Sequence, residues 1–254
     1  MSILGVVTGQ EMRYQLLSEL RVSDPDAEGI RTASQKILET RLVKADPLSQ
    51  GTNEEALRKL KGWEFSYTLS SDGEVLKMID GPADAPKAAK VEPAGGRGFR
   101  VSSIMDEAGW KELAQLSFYV PDEQASGNKL HLRQMTHDFG PLGSFTGETS
   151  FVRKGTQQGL MRIDYTHKLN YRGPAKDAPA GDLPFTIKGA ELRPEMAGGS
   201  IWYDQKAKRV RQAEEQFRVS GVIAAEIAGM QLEVQVDEAQ AIILKLTDVN
   251  PWKQ

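Results

Sequence analysis

One pattern dominates the chain: apolar and polar residues alternate with a period of two. Met161, Ile163, Tyr165, His167, Leu169 and Tyr171 fall on one side of an extended segment, with Arg162, Asp164, Thr166 and Lys168 on the other. Successive side chains of a β-strand point to opposite faces, so this alternation predicts a strand with one dry and one wet face. It recurs in Met12, Tyr14, Leu16 and Leu20 against Arg13, Gln15, Glu19 and Arg21. It recurs again in Trp63, Phe65, Tyr67 and Leu69 against Glu64, Ser66 and Thr68. Strands wet on one face build antiparallel sheets, whereas parallel sheets need continuous apolar runs. The expected fold is mainly β (α+β): a large curved antiparallel sheet or half-barrel.

Turn chemistry divides this pattern into hairpins. Ser23 to Gly29 joins a first strand to a second running from Ile30 to Ala45, and Ser70-Ser71-Asp72-Gly73 closes a hairpin between Trp63 and Ile79. Thr52-Asn53-Glu54-Glu55 has capping-box spacing and predicts a short helix over 53–61, with Leu57 and Leu60 inward and Gly62 as its C-terminal cap. A second helix is expected from Asp106 to Phe118, with Trp110, Leu113, Ala114 and Phe118 as its apolar stripe and Pro121 beyond it. These two helices are expected to cover part of the sheet. Residues 81–98 and 173–184, rich in Pro, Gly and Ala, read as loops. From Lys129 onward only strands are expected. They include Phe185–Leu192, Ser200–Asp204, Val210–Val219, Val222–Ile227, Gln231–Val236 and Ala241–Leu246. The whole chain, 1–254, reads as a single β-rich domain, with the order of elements suggesting two related halves at 9–122 and 128–248.

Composition narrows the function classes. Lys and Arg number 32 against 35 Asp and Glu, a net charge of −3. No global field attracts polyanions, which disfavours nucleic acid as a partner. There is no cysteine, so disulfides, thiolate catalysis and cysteine metal sites are excluded. The run Ile3–Val7 is too short for a secretory core or a membrane span.

Several residues invite a chemical reading. His131 and His137 share one predicted strand about 20 Å apart, too far for one metal. A metal site would need one of them opposite His167, with Asp138 or Asp164 as a further ligand. Asp24-Pro25-Asp26-Ala27-Glu28-Gly29 resembles the start of a calcium loop, but Gln35 stands where the bidentate glutamate belongs. It reads as a solvated turn. Gly95-Gly96-Arg97-Gly98, with Lys87 and Lys90, lacks the strand and helix that flank a phosphate loop. Lys206, Lys208, Arg209 and Arg211 beside Trp202 and Tyr203 form a basic-aromatic surface patch. No Gly-x-Ser-x-Gly elbow occurs, and no carboxylate pair stands out. No catalytic residue, metal site or cofactor is therefore expected. Trp63, Phe65, Tyr67, Trp110, Phe118, Met161 and Tyr165 are candidates either for a filled core or for the lining of a ligand cleft.

Lys61-Gly62-Trp63-Glu64-Phe65-Ser66-Tyr67-Thr68-Leu69-Ser70-Ser71-Asp72-Gly73-Glu74-Val75 resembles a segment shared by exported bacterial proteins of unknown function, often lipoproteins. Asp138–Gly143 and Gly199–Asp204 are similar to later segments of that group. The resemblance implies an extracytoplasmic β protein folded like lipoprotein carriers, and it brings no catalytic residues with it. The chain departs from the group in showing neither a signal peptide nor a lipid-bearing cysteine. The expected function is non-enzymatic binding of an apolar ligand or a partner's segment on the curved sheet. Behind it stand an assembly subunit acting through strand edges, with oligomerisation, and a hydrolase of surface polymers.

Overall fold

Hydrogen bonding sorts the strands of the computed structural model into two antiparallel sheets instead of one continuous sheet. The structure describes residues 2–3, 6–7, 11–47, 50–80, 107–121, 129–138, 142–174, 186–227 and 229–253. In chain order the elements are β1 (Ser2–Ile3), β2 (Val6–Val7), β3 (Arg13–Val22), β4 (Arg31–Lys44), α1 (Gln50–Leu60), β5 (Glu64–Leu69), β6 (Val75–Asp80), α2 (Glu107–Ser117), β7 (Lys129–Asp138), β8 (Ser144–Gln157), β9 (Leu160–Arg172), β10 (Thr186–Asp204), β11 (Arg209–Ile227) and β12 (Met230–Lys245). The fold is mainly β with two short helices, as the alternation predicts. It divides into two compact units, Thr8–Ala88 and Met1–Val7 with Ala89–Gln254. The second helix thus goes with the larger unit, a different partition from halves at 9–122 and 128–248.

The smaller unit is a sheet in the order β3-β4-β5-β6 with α1 packed on β4. Asp26, the acid at the centre of the calcium-like stretch, caps the β3–β4 turn. Its Oδ1 accepts from the Glu28 and Ile30 amides, both at 2.9 Å, while Gly29 takes a φ of 79°. That carboxylate is spent on the backbone, which is how an aspartate stabilises a turn. Helix α1 starts at Gln50, ahead of the expected cap, so Thr52 lies within its first turn. A Gln50 Nε2 bond to Glu54 Oε1 at 2.9 Å supports that extra turn. Its end is as expected. Gly62, at φ 89°, donates its amide to the Ile37 carbonyl at 2.8 Å and turns the chain straight into β5. Ala33, Ile37, Leu57, Leu60, Phe65, Tyr67, Leu69 and Val75 form the core beneath.

The larger unit is a sheet in the order β2-β1-β12-β11-β10-β9-β8-β7. Its strands are longer than the sequence suggests. Phe185–Leu192 and Ser200–Asp204 belong to one strand, β10, and the two halves of β11 and of β12 join in the same way. Gly198, Gly199 and Gly221, which look like breaks, lie inside strands where neighbouring backbone comes too close for a side chain. Glycine in a strand marks such sharp bends. The bending is visible in the packing. In a flat sheet β8 and β11 would be about 14 Å apart across the two strands between them, yet the rings of Phe145 and Phe217 come within 6.0 Å. Leu142, just ahead of β8, packs into one cluster with Ile223 of β11 and Val234 of β12. The sheet is curled, with these residues on its inner face.

One end of the inner face holds Leu116, Tyr119, Phe151, Met161, Ile163, Tyr165, Ile201 and Tyr203, with residues of α2 and the segment after it packed in. Phe145, Leu192 and Val219 form a second cluster with Leu169, Tyr171 and Phe217.

Candidate functional site

The seven aromatic and methionine candidates are divided between the two units. Trp63, Phe65 and Tyr67 belong to the smaller unit and Trp110, Phe118, Met161 and Tyr165 to the larger. All except the half-buried Trp63 are buried. Phe65 stacks on Tyr67 with ring centroids 6.5 Å apart, and Tyr165 lies 5.6 Å from Phe151. They are packed as core. The basic patch near Trp202 is occupied by its own counter-ions: Arg211 pairs with Asp204 at 3.3 Å and with Asp248 at 3.0 Å, and Arg209 also reaches Asp248. Residues 87–98, with the glycine-rich stretch, lie outside the described residues, as do the side chains of His131 and His137.

Between the two apolar clusters a polar row crosses the inner face. His167 of β9 stands opposite Thr149 of β8, so the cross-strand neighbour is a hydroxyl and not a second histidine. Thr149 Oγ1 lies 2.6 Å from His167 Nδ1. The other ring nitrogen, Nε2, is 3.8 Å from Glu215 Oε2 and has no hydrogen-bond partner. Tyr165 donates its hydroxyl to the same carboxylate at 2.8 Å. A tyrosine on β9 can reach a glutamate on β11 only by crossing β10. The residue of β10 between them, opposite both, is Gly199. The row orders a hydroxyl, an imidazole and a carboxylate; Thr149 is 5% exposed, while Tyr165 and His167 also line the cleft beside the row. Among the described residues no group of three or more metal-ligating side chains comes together.

Burial, reinforced by the charge and hydrogen bond of Glu215, pushes the Tyr165 phenol far above its ordinary range, and burial alone does the same to Tyr67. The unfolded chain releases these protons above about pH 10 while the native protein keeps them. The unfolded state then binds fewer protons, so stability falls as pH rises. Each phenol contributes a slope of about 1.4 kcal/mol per pH unit. Urea midpoints should drop between pH 9 and pH 11, and less so in Tyr165→Phe. Identical midpoints at the two pH values would contradict this.

A break in the strand pairing lies beside this row. β9 and β10 pair only from Met161 opposite Tyr203 to Thr166 opposite Gly198. Beyond that, β9 continues to Arg172 paired with β8 alone, and β10 runs back to Thr186 paired with β11 alone. Among the described residues no backbone hydrogen bond bridges the seam between them. The strands nevertheless remain neighbours, since a methyl on Gly173 would sit 3.4 Å from the Ala190 carbonyl oxygen.

The cause is local to β10. Pro194 has no amide to donate, and the register against β11 slips between Pro194 and Met196, leaving Glu195 as an extra residue. Proline is tolerated in sheets at edges and bulges, and here it has both. Leu169 and Tyr171 of β9 pack in one cluster with Leu192 of β10. Beside them lies a cleft of about 690 Å³ lined from both faces of the sheet, by Asp164, Thr166, Ser200 and Glu214 on one and Tyr165, His167 and Leu169 on the other, with Pro194–Gly199 between. Asp164 is ionised there. Partial burial opposes its charge, but the Ser200 hydroxyl and the Arg162 guanidinium, both at 2.8 Å, hold its carboxyl below the usual carboxylate range. Arg218 pairs with Glu195 at 3.3 Å, while Glu214 accepts from the Gln212 amide at 2.8 Å. A smaller recess of about 260 Å³ lies between α1 and β4.

Sequence reasoning missed the seam. The available signals were Pro194 and the Gly198-Gly199 pair, which it took for a break between strands. No protein-family model, no curated protein and no solved structure matches this chain.

Proposed function

We propose that this chain is a non-enzymatic binding protein that holds its ligand at the open seam of a curled β-sheet. The observation that carries the reading is the separation of β9 from β10 beyond Thr166 and Gly198, beneath a cleft of about 690 Å³. That volume is within the range of small-molecule sites. The lining sets Asp164, Ser200 and Glu214 beside Leu169, Pro194 and Met196, which suits a partner's segment carrying both kinds of side chain as well as an apolar molecule. Of the aromatic and methionine candidates, Tyr165 lines this cleft. Thr149, the hydroxyl of the row, is buried and bonded to His167, which favours binding over catalysis by that hydroxyl. A location outside the cytoplasm is part of the same proposal and rests on the resemblance to exported bacterial proteins.

Native mass spectrometry of the purified chain tests this reading. It should retain a stoichiometric non-covalent adduct that Thr166→Trp, a bulky group at the mouth of the cleft, removes without lowering the melting temperature. A protein with no adduct, or an adduct that persists in Thr166→Trp, would refute it. Assembly of the free chain into a defined oligomer that Thr166→Trp leaves intact would favour the assembly-subunit reading.

A further inference from the structure

We infer that the ligand of this cleft carries an alkylammonium group, which seats over Gly198 against the carboxylates of Asp164 and Glu214. The inference rests on the proposed function and names the chemistry of its ligand. A charge partly withdrawn from water costs free energy until a partner of opposite sign meets it. A cleft lined by one sign of charge also draws in the other. Asp164, Glu195 and Glu214 line this cleft, and among the described residues its lining contains neither lysine nor arginine.

Strand register places the acids. Ser200 of β10 is paired with Asp164 of β9 on one side and with Glu214 of β11 on the other. Residues paired across strands share a face, so these three form one row. Asp164 leans into it, accepting from the Ser200 hydroxyl at 2.8 Å. The next row on that face is Thr166, Gly198 and Gln216. Its middle member has no side chain, which leaves a hollow between Thr166 and Gln216 with the acidic row at its end. Met196, which is 52% exposed, follows on β10. Arg162 answers Asp164 at 2.8 Å, with Lys154 farther off, and Arg218 answers Glu195 at 3.3 Å. Among the described residues the Glu214 carboxylate meets only the neutral Gln212 amide. It is the acid of the lining that no cation matches.

A second sign of a missing partner comes from the other face. The ring of His167 lines the same cleft, its side chain is 9% exposed, and its Nε2 has no hydrogen-bond partner. The chain alone thus leaves a charge and a buried polar atom unserved at one cleft. An ammonium is the fitting head. It combines a compact charge with three donors, and the row offers it two carboxylates and a hydroxyl. Rows on one face of a sheet are about 7 Å apart, which is within the reach of a lysine stem. Such a stem lies over Gly198 toward Met196, where no side chain obstructs it. Two sources carry this group: a lysine of a partner's segment, or a free alkylamine.

Two pairs of probes test it, each titrated into the intact chain at low salt and followed by amide NMR. The first pair is pentylammonium chloride and pentanol, alike in shape but not in charge. The second is the peptide Gly-Ser-Lys-Ser-Gly and its counterpart with norleucine in place of lysine. The charged member should bind roughly tenfold more tightly than the neutral one, with the largest shifts at Thr166, Gly198 and Gln216. Glu214→Gln should weaken the charged probe by roughly fivefold or more at an unchanged melting temperature. Glu233→Gln, on β12 and outside the lining, should leave it unchanged. Tighter binding of the lysine peptide than of pentylammonium assigns the group to a partner's lysine, and the reverse order assigns it to a free amine. Equal binding within both pairs, no binding of either charged probe, or equal losses in the two glutamate variants would overturn the inference. If both charged probes fail while native mass spectrometry finds an adduct that Thr166→Trp removes, the alkylammonium inference falls and the binding reading stands.

Discussion

Truncating Phe145 to alanine is expected to cost about 4 kcal/mol. Phe145 is fully buried and lies 5.2 Å from the ring of Tyr171 and 6.0 Å from that of Phe217. It joins strands that only a curled sheet brings together. Leu192 and Val219 belong to the same cluster, so truncation leaves a cavity walled by side chains from three strands, β9, β10 and β11. Such walls relax little, because each strand is held by its own ladder. At about 3 °C per kcal/mol, the unfolding transition of this unit should fall by about 12 °C. A loss below about 1 kcal/mol would fit a surface aromatic and would mean that the sheet is not curled.

Gly199→Ala should do comparable damage by the opposite route, adding atoms where there is no room. A methyl there would stand 1.8 Å from the Glu214 carbonyl oxygen and 2.8 Å from the Tyr165 hydroxyl. The first neighbour is backbone and cannot step aside. The second is the hydroxyl that crosses Gly199 to reach Glu215. Overpacking of this kind costs about 3 kcal/mol. Losing the hydrogen bond to the partly exposed Glu215 carboxylate adds about 1.5 kcal/mol. Gly189 of the same strand has no neighbouring atom within 4 Å of the added carbon, so Gly189→Ala is the control and should be near neutral. Equal effects at the two glycines would dismiss the row Tyr165–Gly199–Glu215 as a structural feature.

What could be read in advance follows from how local each signal is. Trp63 to Ile79 carries its alternation and its turn within one hairpin, and the Gly62 cap needs only its own helix and the next strand. These expectations needed no knowledge of distant neighbours. The burial of Phe65, Tyr67, Met161 and Tyr165 was equally legible, because apolar periodicity marks a dry face. Whether that face lines a cavity depends on what packs on it from elsewhere, and Tyr165, which is buried among Phe151 and its neighbours yet borders the cleft, does both. The seam was illegible for the same reason. It arises where β10 stops matching β9, and strand neighbours are set by register across the whole sheet. Pro194 and Gly198-Gly199 did signal a disturbance, but one strand read alone cannot distinguish a turn from a bulge. The partners of His167 were hidden likewise. Thr149 and Glu215 are distant in sequence and meet it only because β8, β9 and β11 share the inner face.

The central claim is that β9 and β10 part company at Thr166 and Gly198 and leave an edge open. Residue-resolved amide exchange of the free protein, followed by NMR, tests it most directly. Within Met161–Thr166 and Gly198–Tyr203 the amides shared by the two strands should be protected like the rest of the sheet. Within His167–Arg172 every second amide, the set facing away from β8, should exchange roughly a hundredfold faster or more. The alternate set, bonded to β8, should stay protected. Uniform protection along the whole of β9 would show the seam to be closed, and the proposed site with it.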